Sequence, residues 1–401
     1  MGTKSILRYV ALFLCLSALP CMLFFGERIE QGLHADIFRD WLKLKKPSWE
    51  GVLSLWHISG WEGAYGTTAA WLGARIREYE KKTPGVFIEM NAMSQEKFKA
   101  RLERGECPDL LSFPTGALSE PQETLGDVIP NPNIRGALMQ SACGGMRAFA
   151  VPYAMGGYLL AVNDDMLYDN QLCPPSGEGW SAEDLRQVVE GTYEKPGKKK
   201  EAIRISGLCI QDKKNAVPAA ALMYHFGKGN ISDALALLDS GNVLIGNAVD
   251  EFVNRNAASA IISMSEWRML KSRQNTGKAP AYSVCGVSAF SDMVQYIGVS
   301  RGLDAKKYAV CQGFIDHLLG DGAQAKLKAV GAFPASSRIT QLYEGDEQMA
   351  SIETAYEKDV RVPNAYSYAG KREEIRALID EVMSGADRLL SLRRAISSAC
   401  K

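Results

Sequence analysis

The four histidines, His34, His57, His225 and His317, are the side chains best suited to acid–base or metal chemistry near neutral pH, and they lie far apart in the chain. None has the HExxH spacing that places two imidazoles on one helix face around zinc. The Gly60–Thr67 loop is glycine-rich, but it lacks both the Gly-Lys-Thr ending of a phosphate-cradling loop and the GxGxxG of a dinucleotide site. No GxSxG elbow occurs, and Cys107, followed by Pro108 and Asp109, has no partner signature. No catalytic residue, metal or cofactor is therefore expected. What remains is an aromatic residue in a polar loop. Trp61 stands among glycines in SGWEGAYGTT (residues 59–68), with few apolar neighbours to pack against. An aromatic face there suits a ligand with flat or C–H surfaces, and the adjacent Glu62 can fix a hydroxyl or an amine.

The elements around that loop are legible. Val52 to Ile58 alternates as a strand, Thr67 or Thr68 caps a helix over Ala69 to Lys82, and Val86 to Met90 forms the next strand. Strand, helix, strand at this length is a βαβ unit with a parallel sheet, and ligands of open α/β sheets bind beyond the carboxyl ends of the strands. The Ser59–Thr68 loop is thereby placed to touch ligand, and the helix N-terminus behind it favours an acidic or hydroxyl-rich group. A helix over Gln95 to Arg104 and a buried strand over Asp109 to Phe113 follow.

Arg147 to Asn163 (RAFAVPYAMGGYLLAVN) reads as a strand, a break and a second strand. Phe149, Val151 and Tyr153 alternate with small residues, and Gly156–Gly157 supplies backbone angles that other residues resist. A chain leaving one lobe for another has this pattern. Ser181 caps the helix beginning GWSAEDL, Ile203 to Ile210 is a strand, and Ala216–Phe226 and Ile231–Leu238 read as helices. Ala257 to Trp267 reads as a buried strand with Trp267 at its end. Tyr282–Phe290 and Val294–Val299 are strands, and Lys306–Leu319, Gly322–Val330, Met349–Lys358, Glu373–Ser384 and Asp387–Ser398 are helices.

At 401 residues the chain is too long for one ordinary core of about 100–200 residues, and 46% hydrophobic content lets two lobes bury their own. Lys plus Arg total 46 and Asp plus Glu total 46, so no basic excess exists to neutralise a nucleic acid backbone. Of nine cysteines, the seven outside the N-terminal apolar run are scattered, odd in number and without a CxxC pair; free buried thiols are expected. Ile6 to Phe25 holds one charge, Arg8, and is about the ~20 residues a bilayer span needs. Lys4 and Arg8 favour a cytoplasmic N-terminus, and no small-x-small cleavage site follows. An uncleaved anchor is preferred to a cleaved signal peptide, with residues 26–50 as linker.

Several stretches, in this order, resemble the family 1 extracellular solute-binding proteins of ABC transporters, the group related to maltose-binding protein. They are EKFKARLERGECPDLLSF, AFAVPYAMGGYLLAVNDDML, GWSAEDLRQVV, FVNRNAASAIISMSEW, KYAVCQGFIDHLLGDGAQAKLKAVGAFPASS and RVPNAYSY. Where the family has Gly-Lys-Ala-Ala-Met, this chain has Asn256-Ala257-Ala258-Ser259-Ala260. The resemblance implies a two-lobed α/β periplasmic-binding-protein fold of type II. Residues 51–154 with 282–338 would form lobe one, and 157–281 with 341–401 lobe two. It further implies a monomer outside the cytoplasmic membrane, held by its N-terminal helix or exported. It would capture a small solute, a sugar or oligosaccharide, by lobe closure and pass it to ABC importer permease subunits. The alternative is a membrane-tethered receptor that senses a peptide or polyamine. The cleft positions so implied are Trp56, Ser59, Trp61, Glu62, Phe113, Tyr153, Glu266 and Trp267, with Tyr282, Tyr366 and Tyr368 behind them.

Overall fold

The computed structural model describes residues 47–171, 182–197, 202–211, 240–286, 291–358, 360–384 and 388–400. The anchor over residues 6–25, most of the linker, Trp180, the Ser181 cap and the helices expected at 216–226 and 231–238 lie outside them. Among the described residues no helix is long and apolar enough to cross a membrane. Cys209, Cys285 and Cys311 are buried, Cys143 is half-buried and Cys107 is exposed, and none of these five is in a disulfide.

Strand β1 (Gly51–Ile58) runs parallel to β2 (Val86–Met93) and β3 (Leu110–Pro114). Parallel neighbours require a crossover, which helix α1 (Thr68–Lys82) makes between β1 and β2, and α2 (Gln95–Glu103) between β2 and β3. Thr67 caps α1, its hydroxyl accepting from Ala70 N at 3.1 Å, and Lys81 and Lys82 sit in the last turn where the helix dipole favours cations. Ser94 caps α2 in the same way.

A short ribbon, β4 (Cys143–Gly144) with β5 (Arg147–Ala148), leads into β6 (Val151–Met155) and, past two glycines, β7 (Tyr158–Asn163). These last two strands belong to different sheets. β7 joins β8 (Tyr193–Pro196), β9 (Ala202–Gln211), β10 (Val243–Gly246), β11 (Ala257–Ser263) and β12 (Tyr282–Gly286) in the order β10-β9-β11-β7-β12, with β8 paired to β9. β6 joins the first sheet with β13 (Val294–Val299) and β14 (Phe333–Pro334), in the order β14-β6-β13-β3-β1-β2. The strand expected to open the return to lobe one, Tyr282–Gly286, hydrogen-bonds instead to β7 of the second sheet, with Tyr282 opposite Asn163 and Cys285 opposite Leu160. The return crossing therefore falls between Gly286 and Val294.

Two further expectations change. The residues after Ser263 are not a strand end but a helix, α3 (Met264–Asn275). Its Ser263 hydroxyl accepts from Glu266 N, and the Glu266 carboxylate accepts from Ser263 N, a reciprocal capping box. The Gly156–Gly157 break is also glycine for a different reason. Neither residue has positive φ. The requirement is space: a Cβ on Gly157 would lie 2.1 Å from the Tyr356 hydroxyl, and one on Gly156 2.9 Å from the Trp61 ring. Tyr356 needs that proximity, because its hydroxyl accepts from Tyr158 N at 2.6 Å and donates to Tyr158 O at 3.1 Å, pinning the crossing. Gly157→Ala should cost about 1–3 kcal/mol of unfolding free energy through overpacking. Urea denaturation checks this, and an unshifted midpoint would mean that Tyr356 is free to move aside.

Candidate functional site

A cavity of about 460 Å³ lies at the seam between the two sheets. The loops after three parallel strands supply one wall: Ser59, Gly60 and Trp61 after β1, Ser94, Gln95 and Glu96 after β2, and Pro114 with Thr115 at the end of β3. Tyr158, Asp292 and Met293 lie at the two crossings, Ser263 and Ser265 come from the second-sheet side, and Tyr368 opens the helix over Tyr368–Ser384. The site thus stands beyond the carboxyl ends of the strands, where a parallel sheet leaves backbone groups and loop side chains free to meet a ligand.

Asp292 is the best-organised group in it. The Tyr158 hydroxyl donates to its Oδ1 at 2.8 Å and the Tyr368 hydroxyl to its Oδ2 at 2.5 Å. Burial, reinforced by the Asp292 carboxylate, pushes the Tyr158 phenol well above the ordinary tyrosine range, so it remains a donor. Trp61 is buried against Gly156, and its Nε1 has no hydrogen-bond partner among the described residues. Its loop is held down by Ala64 N donating to Gly331 O and by Tyr65 N and Gly66 N donating to Val330 O.

Along one rim the two lobes touch. Glu62 pairs with Arg268 of α3, Tyr65 donates to Asp346 at 2.5 Å, and the Lys271 ammonium stands 5.2 Å from the Tyr65 ring and 3.7 Å from the Trp267 ring. Glu62 and Arg268 are both about 40% exposed, so this pair positions more than it stabilises.

Below the cavity lies a buried polar network. His57 Nδ1 is 3.0 Å from Ser112 Oγ, which is 3.0 Å from the Tyr153 hydroxyl and accepts from Gln295 Nε2 at 3.1 Å. Gln295 also donates to Ile58 O at 3.0 Å, tying β13 to the end of β1. Burial pushes the His57 imidazole down to about 4, so it is neutral in the folded chain at pH 7.

Of the residues implied by sequence, Ser59, Trp61 and Tyr368 meet at the cavity. Glu62 is at the rim in its ion pair. Four others are placed in packing rather than on the cavity wall. Trp56 meets Phe98 edge-on at 6.2 Å and carries the Arg101 guanidinium 4.0 Å over its ring. Phe113 stacks on Tyr296, Tyr153 stacks on Trp71 at 5.4 Å, and Trp267 is fully buried. Glu266 is occupied by its cap, Tyr282 is buried against Phe252, and the buried Tyr366 donates to Ala142 O at 3.0 Å. The helix N-terminus behind the Ser59–Thr68 loop is occupied as well: neither Thr67 nor Thr68 lines the cavity, and Thr68 faces His57. Sequence reasoning missed Ser94, Glu96, Thr115, Tyr158, Ser263, Ser265 and Asp292. Ser94, Thr115 and Ser263 each end or follow a strand, and that position was the available signal.

No protein-family model matches the chain, and no curated protein matches it in sequence. Solved structures do match its fold. A sugar transporter protein from Rhizobium etli, in an open conformation, is 14% identical over 87% of this chain and 99% of its own, with a TM-score of 0.64. A cyclic alpha-maltosyl-1,6-maltose binding protein from Arthrobacter globiformis is 16% identical over 88% and 98%, with a TM-score of 0.63. An ABC substrate-binding protein from Listeria monocytogenes, in complex with cycloalternan, is 14% identical over 87% and 98%, with a TM-score of 0.59. The chain shares the mixed α/β, two-lobed fold of these substrate-binding proteins over nearly their whole length.

Proposed function

We propose that this chain is an extracytoplasmic solute-binding protein that captures a sugar or oligosaccharide between its lobes and delivers it to an ABC importer, binding without turnover. The observation that carries the reading is the cavity at the seam, bounded by strand-end loops of one sheet, both crossings and the second-sheet side. Its hydroxyl-rich wall and the single indole of Trp61 supply what a sugar needs, hydrogen-bond partners for its hydroxyls and an apolar face for its ring. The fold shared with sugar-binding proteins points the same way. In this reading lobe one comprises residues 51–154 and 294–338, and lobe two 157–286 and 341–401. Ile6–Phe25 anchors a monomeric protein on the outer face of the membrane.

The test is a thermal-shift screen of mono-, di- and oligosaccharides. A ligand at 100 times its Kd adds about 2.7 kcal/mol to stability and raises Tm. Trp61→Ala should weaken the best hit by about 10- to 100-fold in calorimetry. Full-strength binding by that variant would remove the indole from the site. No response to any saccharide, from a sample that unfolds cooperatively, would remove sugar capture altogether.

A further inference from the structure

The charge of the cavity goes beyond its shape. Asp292 is oriented by two phenols from different elements, each using one lone pair of one carboxylate oxygen, so each oxygen keeps acceptor capacity toward the cavity. The other carboxylate on the wall is Glu96. Among the described lining residues there is no Lys, Arg or His. Two cations on the rim are already engaged, Arg268 with Glu62 and Lys271 over the Trp267 and Tyr65 rings.

A carboxylate that loses water to a ligand costs free energy unless the ligand returns a charge or strong donors. A sugar hydroxyl donates once and leaves the negative charge in place. An ammonium donates up to three times and cancels it. Resting on the solute-capture reading above, we infer that the solute this chain binds carries a protonated amine, which pairs with Asp292, on a hydroxylated body that meets Ser59, Ser94, Thr115 and Ser263. An amino sugar has that chemistry in full; a polyamine has its ammonium part.

The test is calorimetry on the full chain at pH 7 with three near-isosteric disaccharides, cellobiose, the glucosamine disaccharide and its di-N-acetyl form, and with spermidine. The amine disaccharide should bind at least tenfold tighter than both neutral ones, and Asp292→Asn should bring that ratio close to one. Should this variant not fold, the pH series on the unmodified chain decides: the amine's affinity falls as pH rises through its own pKa, while that of cellobiose stays level. Spermidine binding tighter than the amino sugar, with the same loss in the Asn variant, supports the ammonium pairing and assigns the solute to the polyamines. Neutral disaccharides binding as well as the amine overturns the inference and leaves solute capture standing. Absence of binding by all four, and by the wider saccharide panel, overturns both.

Discussion

Trp267→Ala is expected to lower the unfolding free energy by about 3–5 kcal/mol. Trp267 is fully exposure-free and among the largest such side chains in the protein. It sits in the first turn of α3 directly after the capping box, so its indole is aimed by the cap at the sheet beneath. The Lys271 ammonium covers it from the solvent side at 3.7 Å, adding a cation–π contact. Removing the indole opens a void under a helix whose partner side chain, Arg268, reaches across to Glu62. Urea unfolding checks the prediction. An unchanged midpoint together with weakened solute binding would instead make Trp267 a ligand contact.

Acid should destabilise the chain through His57. In the unfolded chain this imidazole takes up its proton near pH 6.5; in the folded chain it does so only near pH 4. Between those values the unfolded state binds more protons, so stability falls as pH falls, and above pH 6.5 the group contributes no slope. The loss grows to about 3 kcal/mol by pH 4. His317, lowered by burial as well, adds a slope of the same sign. His57→Asn keeps a polar group beside Ser112 and removes the titration. Its stability at pH 7, 5.5 and 4 should fall less steeply than that of the unmodified chain. Parallel pH dependences for the two proteins would assign the acid sensitivity elsewhere.

The fold was largely legible because its signals are local. The βαβ start, the Thr67 cap and the strand–glycine–strand crossing are each made of neighbouring stretches of chain, and the structure keeps all three. The capping box at Ser263–Glu266 was just as local but was overridden by reading Ala257–Trp267 as one buried run. The site was less legible for a physical reason. Large aromatics mark places that bury surface, and in Trp56, Phe113, Tyr153 and Trp267 that burial is internal packing. The groups on the cavity wall are mostly small and polar, and such residues look like any loop until distant strands bring them together. Asp292 is the clearest case, since its two phenol partners are 134 and 76 residues away in sequence.

The strand order has a consequence for how the protein is made. Every described strand of the second sheet comes from one continuous stretch, residues 158–286, so these strands are all available to one another once that stretch has been synthesised. The first sheet is interrupted. Its inner strand β13 lies between β3 and β6, which precede it by well over a hundred residues, and until residue 299 exists those two have no neighbour joining them. Contacts so distant in sequence form slowly, because the intervening chain must first be closed into a loop. The first sheet is thus the later of the two to close, although its strands β1, β2 and β3 are the first to be translated. A chain of this design spends its synthesis with β3 and β6 unzipped, a state in which it can still be threaded or bound by a chaperone before its last strands shut the sheet.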